Sequence, residues 1–170
     1  IAPDLPEYQV LENNFDHFDQ DQLSLEWQFV RNPDNSAWSL TERPGYFRIW
    51  TGDGDLNLRG AKNTLVRREK DHCYTVTTKL EFTPIRDGEQ AGLTCYYSTN
   101  SYIKFGLIYE NGRKMQLLEN RGNNLAVIAV VDAIGEDPVY LQVKVKGQNR
   151  EFSYSYDEQE WMVVGSITDC

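Results

Sequence analysis

An all-β fold, built as two antiparallel sheets packed face to face, is the architecture this sequence predicts. Three observations point to it. Runs of five to eight residues with alternating character recur along the chain, each followed by a turn signal. Asn111-Gly112, between two such runs, is the strongest hairpin signal present, because both residues tolerate the positive φ of a type I′ turn. The strands follow one another in hairpin succession with no helix-length crossover between them, which excludes a parallel α/β sheet.

The elements follow in order. Trp27–Pro33 and Trp38–Tyr46 are aromatic, alternating runs on either side of a Pro-Asp-Asn-Ser turn, and Arg43-Pro44-Gly45 forces a second reversal. Tyr46–Trp50 is a strand that enters the glycine-rich loop Thr51–Asp55, and Thr64–Arg68 is the next. In Tyr74–Phe82 the residues Val76, Thr78, Leu80 and Phe82 share one face while Thr75, Thr77, Lys79 and Glu81 share the other, the period-two pattern of a strand with one wet side. After a loop at Pro84–Gln90, Ala91–Tyr97 pairs with Tyr102–Tyr109 across Ser98–Ser101, and Asn111-Gly112 leads on to Lys114–Glu119. Further strands are expected at Ala126–Val131, Val139–Val145, Glu151–Tyr156 and Trp161–Val164, with Asp19–Leu23 an ambiguous helical turn.

With 170 residues the chain is read as one domain, large enough to bury a core, and its 40 % hydrophobic and 12 % aromatic content fits a globular protein. A net charge of −9 repels phosphate backbones and anionic lipid surfaces, so nucleic acid and membrane are not expected as partners, whereas a neutral sugar feels no such repulsion. No apolar run is long enough to span a bilayer as a helix. Ile1-Ala2-Pro3 reads as a processed or cut end rather than a native initiator, and the compartment stays open between secreted and cytoplasmic, in a bacterium.

Catalytic and metal signatures fail one by one. The acids sit mostly in turns, as at Asp53, Asp55, Asp87, Glu89, Glu136 and Asp137, and their spacing singles out no glycosidase pair. There is no nucleophile elbow, phosphate loop or His-Glu-x-x-His. Cys73, Cys95 and Cys170 lack metal-binding spacing, and His72 beside Cys73 has no second ligand pair, so no zinc is expected. Cys95 is expected as a small buried hydrophobe, with a Cys73–Cys95 bridge an open alternative. Asp53, Asp55 and Asn57 only distantly resemble a calcium loop.

The order and spacing of several strings resemble one family. Trp27-Gln28-Phe29-Val30-Arg31-Asn32-Pro33 followed by Trp38–Ile49 is similar to the opening of the C-terminal β-sandwich of family 43 glycoside hydrolases of the β-xylosidase type. Phe15–Asp19, Leu65–His72, Lys79–Pro84, Glu89–Leu93, Tyr96-Tyr97 and Phe152–Asp157 resemble later segments, so the similarity covers residues 15 to 165. The resemblance implies a concanavalin-A-like jelly roll packed in cis against a catalytic β-propeller that carries the catalytic carboxylates. It implies a non-catalytic module of a β-xylosidase or α-arabinofuranosidase, binding xylan or xylo-oligosaccharide, with a purely architectural role as the alternative. An autonomous jelly-roll endo-glycanase is the third reading. A structural calcium on loop acids such as Asp16 or Asp19 is left open by analogy. The family's closing segment has no counterpart before Cys170, so the last strands of the sandwich are expected to be missing.

Alternation then selects a candidate sugar site. With Leu93, Cys95, Ile103, Phe105 and Leu107 pointing inward, Gln90, Thr94, Tyr96, Tyr102 and Lys104 share the opposite, open face. Rings there stack on a pyranose, and the polar groups reach its hydroxyls. Tyr96 and Tyr102 read equally well as a cross-strand pair that covers the sheet, or as an interdomain contact. Trp38, Trp50 and Trp161 are secondary candidates, and Trp27 is expected in the core.

Overall fold

The computed structural model describes residues 15–132 and 134–169; Ile1-Ala2-Pro3 and Cys170 lie outside them. Two four-stranded antiparallel sheets face each other. One is a meander of β6 (Gln90–Ser98), β7 (Ser101–Tyr109), β8 (Arg113–Arg121) and β9 (Asn124–Val131), in that spatial order. The other runs β12 (Met162–Ile167), β11 (Asn149–Ser155), β10 (Val139–Lys146), β5 (Cys73–Leu80). Two short ribbons precede them: β1 (Trp27–Phe29) pairs with β4 (Leu65–Arg67), and β2 (Trp38–Ser39) pairs with β3 (Arg48–Ile49). The two-sheet sandwich expected from the alternation is therefore the fold observed.

The turns explain the registers. Asn111 and Gly112 have φ of 52° and 135°, and the pair joins β7 to β8 with Tyr109 opposite Arg113. That reversal spans three residues with Glu110, whereas Gly122 and Asn123, at 61° and 70°, make a two-residue reversal between β8 and β9. This one was hidden inside a polar run, and the strands on either side are longer than expected. The run at Tyr46–Trp50 yields only the two residues of β3, and no helix forms at Asp19–Leu23.

The inner faces of the two sheets supply the core. Phe105, Leu107, Met115, Leu117, Val139, Leu141 and Phe152 are almost wholly buried, and the Phe105 and Phe152 rings meet at 5.4 Å. Leu93 and Cys95 pack partly buried against this core as expected, and Cys73 and Cys95 are not bridged. Leu80, at the end of β5, and Phe82, just past it, also reach the core, but Val76 is 42 % exposed on this edge strand.

A second apolar cluster forms from the N-terminal third. The rings of Phe18, Trp27, Phe29, Trp38 and Phe47 make a chain of contacts at 5.5–6.2 Å between centroids. Trp27 is anchored there by donating its indole N–H to Asp16 Oδ2 at 2.6 Å. Trp38 thus packs half-buried into this cluster, whereas Trp50 stays exposed. Arg43 ties this region to β5 through a forked ion pair with Glu81, while its guanidinium lies 3.9 Å from the Tyr46 ring centre.

Candidate carbohydrate face

The five residues chosen from alternation do share one side of the β6–β7 pair. Thr94 is opposite Lys104, and Tyr96 is opposite Tyr102. The two tyrosine rings lie nearly parallel, 14° apart, with centroids at 6.5 Å. Lys104 Nζ donates to Gln90 Oε1 at 2.8 Å, and the Thr94 hydroxyl donates to the Ile103 carbonyl at 2.9 Å.

The side of the sheet is as expected, but its openness is not. Tyr102 is only 3 % exposed, because alternation assigns a face and says nothing of what covers it. Burial raises its phenol above the ordinary value, while the side chain of Asn120, opposite on β8, pulls the other way. Coverage comes from loops that reach across from the N-terminal third. Lys104 Nζ meets Asp55 Oδ2 at 2.7 Å, and the same carboxylate accepts the Leu56 N–H through Oδ1 at 2.6 Å. Arg31 spans the gap, donating to the Ala61 carbonyl at 2.7 Å and to the Tyr96 hydroxyl at 3.4 Å. Asp55, expected as a turn acid with a distant likeness to a calcium loop, is therefore a structural partner of Lys104, and Arg31 was not singled out as a site residue.

Two glycines explain how Lys104 reaches Gln90. Gly92 and Gly106 stand opposite each other between the Thr94–Lys104 and Gln90–Ile108 pairs. A Cβ on either would come within 2.6 Å of the other's Cα, and nearer still to a backbone carbonyl oxygen. The strands close together at this pair, leaving a notch without side chains over which the lysine extends.

Other chemistry is committed elsewhere. Glu26 pairs with Arg67 and Lys70, Glu69 with Arg150, and Lys114 with Asp132. Among the described residues, no three His, Cys, Asp or Glu side chains gather as a metal group. Both oxygens of Asp16 accept hydrogen bonds, from Phe18 N and Trp27 Nε1, and Asp19 accepts one from Gln20. Two shallow grooves of about 320 and 350 Å³ lie beside Glu26 and Arg113, and neither is lined by the five residues.

Comparison with known proteins places this architecture. Residues 15–170 match the family described as the beta-xylosidase C-terminal concanavalin A-like domain. The GH43 BlXynB protein of Bacillus licheniformis is similar over 99 % of this chain and 33 % of its own, at 51 % identity and a TM-score of 0.94. A xylan beta-1,4-xylosidase from Bacillus halodurans is 28 % identical over 99 % of this chain and 34 % of its own, with a TM-score of 0.88. A xylan 1,3-beta-xylosidase of a Vibrio species is 34 % identical over 96 % of this chain and 31 % of its own. The chain spans about a third of the length of each of these relatives. It belongs to the family of concanavalin-A-like C-terminal domains of family 43 β-xylosidases.

Proposed function

We propose that this domain is a non-catalytic accessory module of a β-xylosidase-like glycoside hydrolase, packed in cis beside a catalytic propeller and contacting xylan or xylo-oligosaccharide weakly through the β6–β7 face. The observation that supports it is the paired arrangement of Tyr96 and Tyr102 above a connected polar row. In this reading Tyr102 is the buried support and Tyr96 the ring that meets the C–H face of a pyranose. Thr94 and Lys104 come next along the strands from Tyr96, with Gln90 further along the same face, and the three offer hydrogen bonds to hydroxyls, each worth about 1 kcal/mol net. The chain contributes no hydrolysis of its own, and the chemistry resides in the propeller.

A second reading, a purely architectural module that shapes the rim of the catalytic site, is favoured by one specific observation. Lys104 and Gln90 are already partnered by Asp55 and by each other, which lowers what they offer a sugar. The two readings separate in one experiment. Calorimetric titration of xylohexaose into the chain should show weak binding that the Tyr96→Ala/Tyr102→Ala double variant loses. Binding unchanged in that variant removes the face. Absence of retardation in xylan affinity gels, together with co-purification with the catalytic fragment, establishes the architectural role instead. Release of reducing sugar by the chain alone would overturn both.

A further inference from the structure

The end of β6 carries an aromatic side chain that the core does not use. Tyr97 shares its parity with Leu93 and Cys95, so strict alternation would turn it inward. Instead the pairing with β7 shifts between Tyr96 and Ser98, leaving Tyr97 as the extra residue of a bulge. Its ring is 87 % exposed, next in sequence to Tyr96 and on an edge strand.

The backbone beneath that ring is fixed rather than loose. The Ser98 hydroxyl donates to Asn100 Oδ1 at 2.6 Å, and the Asn100 carbonyl accepts the Asn123 N–H at 3.1 Å from the next hairpin. The Thr99 carbonyl accepts from Asn120 Nδ2 at 3.4 Å. Two hairpin tips are thereby hydrogen-bonded together next to the bulge that presents Tyr97. The ring extends from a hydrogen-bonded backbone with its face open to a flat apolar surface, and a tyrosine has only two side-chain torsions to order on binding.

We propose that Tyr97 forms an additional sugar subsite, at the β6–β7 hairpin end, which takes a neutral pyranose unit of an oligosaccharide extending beyond Tyr96. This rests on the reading that the β6–β7 face meets xylan-type chains. The bulge places consecutive tyrosines to serve consecutive parts of one ligand, Tyr96 over the sheet and Tyr97 past its end. The subsite acts only on chains long enough to cover both rings, which gives it a signature that a structural role would not have.

The test is calorimetric titration of xylotriose and xylohexaose into the 170-residue chain and its Tyr97→Ala, Tyr97→Phe and Tyr96→Ala variants. Because Tyr97 is so exposed, its replacement should leave the thermal midpoint where it is. Tyr97→Ala should weaken xylohexaose about tenfold, to the level of xylotriose, while xylotriose binding stays unchanged. Tyr97→Phe, which keeps the ring, should retain most of the difference. Equal loss for both oligomers, or no loss for either, overturns the subsite while Tyr96→Ala still reports on the face itself. Failure of the unaltered chain to bind xylohexaose would sink the β6–β7 reading and this one together.

Discussion

Replacing Gly106 by alanine is the sharpest probe of how the β6–β7 face is built. The added methyl would sit 2.6 Å from the Gly92 Cα and closer still to the Ala91 carbonyl oxygen, both of them backbone. Non-bonded carbons prefer about 3.5–4.0 Å, so the strands must part by roughly 1 Å. No rotamer change relieves such a clash. Overpacking costs about 1–3 kcal/mol, and weakening one or two ladder hydrogen bonds adds about 1 kcal/mol each. A loss near 3 kcal/mol follows. At a urea slope of about 2 kcal/mol/M the midpoint should fall by roughly 1.5 M with the slope unchanged. Gly60→Ala is the control, since nothing lies within 4 Å of its Cβ and its effect should stay within about 0.5 kcal/mol. A Gly106→Ala midpoint within about 0.5 M of the unaltered chain would refute the close approach of the strands. The same substitution spreads Lys104 from Gln90, so the sugar-binding readout should fall with it.

Two further outcomes follow. Asp157 accepts hydrogen bonds from Glu160 N and Gln159 N at 2.9 Å and from the Ser155 hydroxyl at 3.0 Å, and these hold its carboxyl below the usual range, the Glu160 N–H foremost. A depressed folded pKa contributes stability above the unfolded value, near 3.9, and loses it as pH falls through the folded value; Asp157→Ala should flatten the acid limb of a melting-temperature profile, and an unaltered limb would exclude a stabilising role for these hydrogen bonds. At the opposite edge of the same sheet from β6, β9 exposes Leu125, Val127, Ile128 and Val130 on a strand without a charge, and β12, which contacts β9, exposes Met162 and Val163. Such an edge pairs with other chains; sedimentation velocity should show concentration-dependent self-association that Val127→Lys suppresses, and a monomer at every concentration would contradict it.

What could be read from the sequence divides along a physical line. The strands around Tyr74–Phe82, Ala91–Tyr97 and Tyr102–Tyr109 were legible because each buries alternate residues against a core, and burial leaves a period of two. The β1–β4 ribbon was not legible as a pair: Trp27 meets Arg67 across forty residues, and three-residue strands carry too few alternations to announce a partner. Lys104 was placed correctly on its face, but its partner Asp55 is 49 residues away on a loop. Nothing in the local pattern around Asp55 signals that encounter. Tyr97 shows the opposite limit. It shares the parity of the inward Leu93 and Cys95, yet a single-residue register shift turns it to solvent, which no alternation pattern shows.

The face is the point at which these limits meet, and they bear directly on its role. A sugar platform needs donors that are positioned yet still available, whereas a support for another domain needs donors already satisfied. Lys104 meets the second requirement, since its ammonium bridges Asp55 and Gln90 over the glycine notch. Tyr97 meets the first, since its ring is exposed beside a hydrogen-bonded turn. Buried Tyr102 and exposed Tyr97 flank Tyr96, which touches both regimes through its stack on Tyr102 and its hydroxyl contact with Arg31. In the proposed reading, a module arranged in this way is supported beneath and meets sugar at its margin. Its sugar affinity should therefore depend more on aromatic rings at the hairpin end than on the charged groups at the centre of the sheet.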